Sequence, residues 1–231
     1  MRGRHLLALI TAAVAALPVA AAAQDTRPGI AVLPFTNGGS YGADREDLAA
    51  LEVGIQELLM TELAANSNLR IIDRTRLRDV LEEQGLGTSG RVDAATAARV
   101  GRIVGARYVV KGGFVDLYGD FRLDGHVIDV ETTELLNAQS VRNRRENLYD
   151  LLVDLAVRIT DDVDLPPLPT AERDARKERE IPHEAITLFA RAKVYQDGGH
   201  NDQAIALYER IAEQFPDMVQ AKEALIQLRG G

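Results

Sequence analysis

The chain has 231 residues, 46% hydrophobic and 27% charged, with a formal net charge of −8 and no cysteine. That length suits one ordinary domain with a smaller appendage, and the balance is that of a folded soluble protein rather than a disordered one. The acidic excess argues against nucleic acid or an anionic lipid surface as main partner, and without thiols there are no disulfides and no cysteine to carry an N-terminal lipid.

Residues 1–23 are predicted to be a cleaved export signal. Arg2 and Arg4 give a positive start, residues 6–17 form an apolar run too short to span a bilayer, and Ala21 and Ala23 are small residues of the kind signal peptidase accepts. The mature chain would begin at Gln24, in the periplasm, and losing two arginines makes it more acidic still. No later stretch approaches the roughly 18 apolar residues of a spanning helix.

Residues 30–35 (IAVLPF) follow Pro28 and Gly29 as an uninterrupted apolar run, the pattern of a strand buried on both faces. A loop is predicted over 36–43. Beyond Asp44 and Asp47, carboxylates suited to a helix start, Leu48, Leu51, Ile55, Leu58, Leu59 and Leu63 recur at helical spacing. Residues 69–72 read as a second short strand. Asp73 or Thr75 then caps a helix bearing Leu77, Val80 and Leu81, which Gly85 ends. Asp93 begins another helix whose inward positions, Ala94, Ala97, Ala98 and Gly101, are small enough to let it lie close on a sheet, and Gly105 fits its left-handed exit. Residues 108–117 and 121–130 are predicted strands joined by a type II′ turn at Gly119 and Asp120, with a third strand over 135–142. Leu148, Leu152, Leu155 and Ile159 mark a closing helix over 147–163. The order βαβααβββα implies an α/β domain over 24–163, with a mixed sheet and helices packed on it.

Pro166, Pro167 and Pro169, followed by nearly continuous charge over 172–180, make 164–181 a predicted solvated linker with nothing to build a core. Residues 182–231 have a different grammar. Leu188, Ala192, Tyr195, Gly199, Ala204, Tyr208 and Pro216 fall at the register of a tetratricopeptide repeat, whose period is about 34 residues. Ala192 and Ala204 would let two antiparallel helices approach, Pro216 would stop the second, and residues 218–228 would form a third, capping helix. One repeat cannot bury its own surface, so this small all-α unit is expected to dock on something.

Three segments together carry a family resemblance: IAVLPF, then DRTRLRDVLEEQG over 73–85, then GRIVGARYVVKGG over 101–113. They resemble the periplasmic domain of the curli production assembly/transport component (CsgG) family, and similar domains occur in penicillin-binding-protein activators and the N-terminal part of TolB. The resemblance covers residues 29 to about 163. It implies an accessory of envelope assembly or secretion and, for the curli channel, a ring of subunits forming an outer-membrane pore. This sequence departs from the channel where its membrane hairpins belong: the turn around Gly119 has no room for the roughly 9 to 11 residues of a spanning strand, and residues 141–147 carry Arg142, Arg144, Arg145 and Glu146, which cannot face lipid. Direct membrane insertion is not expected.

The loop from Asn37 to Gly42 lies where a phosphate cradle would sit, but it lacks the Gly-Lys-Ser/Thr ending of a P-loop. A flexible connection is the simpler reading, and a ligand-binding or hydrolytic site at Gly38 and Gly39 is the alternative. His5 would leave with the signal, and His126, His183 and His200 fall on separate elements with no ligand at helical spacing. No nucleophile with a base and an orienting partner is present, so no catalytic residue, metal site or cofactor is assigned. Arg142, Arg144 and Arg145 stand out in an acidic chain. They read as a solvated strand end pairing with Glu134 or Glu146, or else as a docking patch for an acidic partner. With Tyr195 and Tyr208 of the repeat they are the candidate interaction residues; Leu188, Ala192, Gly199, Ala204 and Pro216 are its candidate packing positions. The expected function is a non-catalytic periplasmic scaffold binding cell-envelope proteins, or its own copies as an oligomeric subunit of a curli-type secretion complex.

Overall fold

A computed structural model describes residues 25–86, 92–167 and 169–230; the predicted export signal lies outside them. In chain order the elements are β1 (Gly29–Val32), β2 (Thr36–Asn37), α1 (Arg45–Ala64), β3 (Arg70–Ile71), α2 (Arg74–Glu83), α3 (Ala94–Val104), β4 (Tyr108–Leu117), β5 (Asp120–Asp129) and β6 (Leu135–Arg144). A single 3-10 turn, Arg145–Asn147, leads into α4 (Leu148–Asp162), followed by α5 (Thr170–Lys177), α6 (His183–Asp197), α7 (Asn201–Gln214) and α8 (Val219–Gly230).

The sheet is mixed, as the pattern predicts, with strand order β3-β1-β4-β5-β6. β1 pairs in parallel with β3 and β4, whereas β4, β5 and β6 form an antiparallel meander. β1 is buried on both faces because its residues alternate between two cores. Ile30 and Val32 face α1 and α4, and Ala31 and Leu33 face α2 and α3. On the second face α3 lies close because Gly101 has no side chain: a Cβ there would meet Val109 Cγ2 at 2.5 Å and Val130 Cγ2 at 2.6 Å. Asp44, Asp73 and Asp93 each accept a backbone N–H at the start of α1, α2 and α3, and Gly105 leaves α3 in the left-handed conformation at φ 71°.

Three expectations are corrected. Residues 36–43 are not simply a loop, because Thr36 and Asn37 form β2 against Gly113 and Phe114 of β4. The β4–β5 turn is Tyr118–Gly119, with φ of 53° and 90° and Leu117 opposite Asp120. Two positive φ values define type I′, the turn whose twist matches the flanking strands, and Gly119 takes its second place rather than the first place of a type II′ turn. Residues 164–181 are mostly exposed and partly helical, but they do contribute to the core. They contain α5, whose Arg176 pairs with buried Glu62 of α1 at 3.3 Å, and they end on Ile181, which is buried in the main core. Basic stems reaching back to carboxylates on α1 and α4 turn a charge run into a strap.

Of the C-terminal helices α6 lies on α1, α7 packs on α6, and α8 packs on α7. The core cluster that starts at the sheet continues through Leu51 and Ile55 of α1 into Ala185, Ile186 and Phe189 of α6, and on to Tyr208, Ile211 and Ala221. Close approach is possible because Gly54 sits mid-helix in α1. A Cβ there would lie 3.1 Å from the Ala190 Cα, inside ordinary contact.

Candidate interaction surface

The arginine group divides. Arg142 and Arg144 are exposed on edge strand β6, Arg142 hydrogen-bonded to Asp120 across the sheet and Arg144 paired with Glu146 at 3.3 Å. The Arg142 hydrogen bond holds the Asp120 carboxyl below the usual carboxylate range. Arg145 turns inward and pairs with Asp116, which is 0% exposed. Glu134 takes neither partner's role expected of it, because β6 carries the arginines toward the β4–β5 turn.

Asp116 is the centre of a small hub. Its Oδ1 accepts the Gly119 N–H at 2.8 Å, its own N–H reaches Ser40 Oγ at 2.9 Å, and its carbonyl accepts the Tyr41 N–H at 2.7 Å. One buried residue therefore ties the hairpin turn and the start of the 3-10 turn through its carboxylate, and the glycine-rich loop through its backbone. The amides of that loop are engaged. Asn37 N–H donates to Glu52 Oε1, Gly38 N–H to the Phe114 carbonyl, and the N–H groups of Gly39 and Ser40 to Asn37 Oδ1. A phosphate cradle needs free N–H groups converging on one point. Asn37 supplies the acceptor from within, and β2 fixes the loop against β4.

The α1–α6 junction is a second polar structure, one that pattern reading missed. Arg74 at the start of α2 bridges Glu57 of α1 at 2.8 Å and Asp197 of α6 at 2.6 Å. Arg78 also reaches Asp197 at 3.2 Å, and Lys193 meets Glu57 at 3.0 Å. Three helices are thus cross-linked by alternating charges in a half-buried seam, where such pairs matter more than on an open surface. The sequence carried one signal of it: a glycine inside an apolar helix, in LEVGIQELL, usually marks a close packing partner.

The residues expected to form a repeat distribute as follows. Leu188, Ala192 and Ala204 are buried, Gly199 occupies the α6–α7 turn at φ 74°, and Pro216 is exposed between α7 and α8. Tyr195 is half-buried with its ring edge-on to His200. Tyr208 departs from its expectation as a surface contact. It is 0% exposed, packs at 5.7 Å from Phe189 and donates its hydroxyl to Gln196 Oε1 at 2.9 Å. A tyrosine can serve as a core residue when its one polar atom finds a partner, and Gln196 provides it.

A cleft of about 620 Å³ lies between the start of α4, the residues joining α5 to α6, and the α7–α8 connection, with Lys177, Arg179, Asp150 and Asp217 among its lining. A shallower groove runs between α1 and α6. Among the described residues no group of three or more His, Cys, Asp or Glu could hold a metal ion, and no helix is long and apolar enough to cross a membrane. Strands β4 and β5 have ten residues each, but one face packs on α1 and α4 while the other carries Lys111, Arg122 and Asp124. Neither face suits lipid.

The family model of the curli production assembly/transport component CsgG matches residues 13–125. No curated protein matches the chain. Among solved structures, the LpoB C-terminal domain from Escherichia coli is similar with 19% identity and a TM-score of 0.41, over 51% of this chain and 82% of that one. The PelC dodecamer from Paraburkholderia phytofirmans gives 15% identity and 0.38, over 61% and 90%. Lipoprotein GNA1162 from Neisseria meningitidis gives 14% and 0.38, over 59% and 98%.

Proposed function

We propose that the chain is an envelope scaffold of the CsgG type, exported to the periplasm and acting by holding other proteins rather than by catalysis. The match of that family model to residues 13–125 carries the reading. The geometry favours it over a nucleotide or sugar site, because the N–H groups of the glycine-rich loop are bonded within the protein. Residues 24–163 form the α/β body, 164–181 the strap and 182–231 a single tetratricopeptide-type repeat, with α6 and α7 as its hairpin and α8 as its cap. The burial of Ala192 and Ala204 supports that assignment. The partners are cell-envelope proteins.

A photo-crosslinking amino acid placed in intact cells at Tyr118, Leu136 or Val194, all exposed, tests the proposal. The expected result is a discrete adduct with an envelope protein from at least one position. No adduct from any of them, with nucleotides or sugars raising the melting temperature of the purified chain, contradicts it. A ligand at about 100 times its dissociation constant adds about 2.7 kcal/mol, which is easily seen.

A second reading, an oligomeric subunit of a secretion complex, is favoured by β6. It is a ten-residue edge strand with only Val141 buried, and its outer edge is unpaired by any strand, although the N–H groups of Ala138 and Arg144 donate to the side chains of Asn137 and Asn143. Light scattering decides: a defined oligomer supports this reading, and a monomer at every concentration removes it.

A further inference from the structure

We propose that the groove between α1 and α6 holds a short amphipathic helix of a partner protein, apolar side down, with lysine or arginine at the end nearest Glu82. This rests on the scaffold reading and names the chemistry of its partner.

Two depressions of about 360 and 530 Å³ make up the groove, and they are continuous because both are lined by Ala49 and Val194. Ala50 and Tyr195 complete an apolar floor in the smaller depression, whereas the larger one adds Val53 and is otherwise lined by Glu52, Arg78, Glu82, Asp197 and Gly198. Val194 is 44% exposed, a β-branched apolar side chain left uncovered between two helices whose other faces are packed. The lining runs from residue 46 to 53 on α1 and from 191 to 198 on α6, roughly 10 Å of helix on each wall. That length accommodates about two turns of a third helix, with anchors spaced i, i+3, i+4 and i+7.

Backbone chemistry chooses a helix over an extended segment. Both walls are helices, whose N–H and C=O groups are already bonded along their axes, so a strand laid here would find no ladder. An incoming helix brings its own backbone bonds and needs only close contact, which Ala49 and Ala50 allow.

Charge gives the occupant a direction. The lining cations Arg78 and Arg191 are already paired, with Asp197 and with Glu46 and Asp47. Glu82, in the same lining, makes no ion pair among the described residues, although Arg78 lies one helical turn before it, and with Glu52 and Asp197 it gives that depression more carboxylates than cations. It sits with Asp197 and Gly198 at the C-terminal end of α6, where the helix dipole adds partial negative charge. A positive side chain fits this end, and a carboxylate is repelled by it.

The test uses the purified chain and three fluorescein-labelled peptides of about 18 residues, long enough to form a helix on binding. One has leucine and alanine on one helical face and lysine on the other, the second has glutamate for lysine, and the third carries a central proline. The lysine peptide is expected to bind at least about tenfold more tightly than either comparator. Val194→Asp should weaken it by about tenfold or more, and Glu82→Lys should remove the preference for lysine over glutamate. Both changes lie at the surface, so melting temperatures should stay within about 2 °C of the parent. Equal binding of the three peptides, no binding, or indifference to Val194→Asp overturns the proposal. Concentration-dependent self-association that Val194→Asp abolishes also overturns it, in favour of a second copy in the groove. Adducts from Tyr118 or Leu136 in cells would leave the scaffold reading standing in each of those cases.

Discussion

At Gly54 two effects of one methyl group have opposite signs. In an open helix, alanine is favoured over glycine by about 1 kcal/mol, so Gly54→Ala would ordinarily stabilise α1. Here the new Cβ would press on Ala190, whose Cα lies 3.1 Å away, and relief requires moving α6. Gly54→Ala is therefore expected to cost about 1–3 kcal/mol in urea denaturation, and a gain would contradict the close contact. The buried tyrosines make a second prediction. Burial, with Glu62 beside Tyr149 and Glu57 near Tyr208, pushes both phenols above the usual tyrosine range. A raised pKa in the folded state means that the stabilisation is complete below about pH 10 and lost as pH rises beyond it. Tyr208→Phe should flatten the alkaline limb of the stability curve, and an unchanged limb would mean that Tyr208 does not ionise on unfolding.

The elements show where pattern reading succeeds. Apolar runs and 3.6-residue spacing marked β1, α1, α3, the meander and α4, because each buries a continuous face whose period survives in sequence. β2 was missed because two residues pair only with a strand far along the chain, which no local window contains. The turn was assigned to the wrong pair because both assignments contain Gly119, and the choice depends on the register of Leu117 against Asp120. Its type I′ form suggests an improvement. Tyr118, 79% exposed, holds φ 53°, a conformation that asparagine adopts more readily than an aromatic residue. Tyr118→Asn is expected to stabilise the chain by about 0.5–1 kcal/mol, seen as a higher melting temperature. A fall would show that the contact of the Tyr118 ring with Gly42 outweighs the backbone term.

On the scale of the whole molecule, the junction between the sheet body and the C-terminal helices was legible only as a need. One repeat cannot cover itself, but composition could not say what would cover it. The answer lies in side chains that read as solvated charge. Glu57, Arg74, Lys193 and Asp197 meet across α1, α2 and α6, and Arg176 reaches Glu62 from the strap. Of the candidate interaction residues Arg142 and Arg144 are at the surface, whereas Arg145 and Tyr208 turn inward. The same junction creates the α1–α6 groove, so a partner bound there would touch both halves of the chain. The central claim is that these halves form one body. Native-state hydrogen exchange followed residue by residue tests it most directly, because cooperative units are those that open at a common free energy. The slowest amides of α6 and α7 should open at the same free energy as those of β4 and β5; opening of α6 to α8 at a much lower cost, with the sheet still protected, would contradict the account.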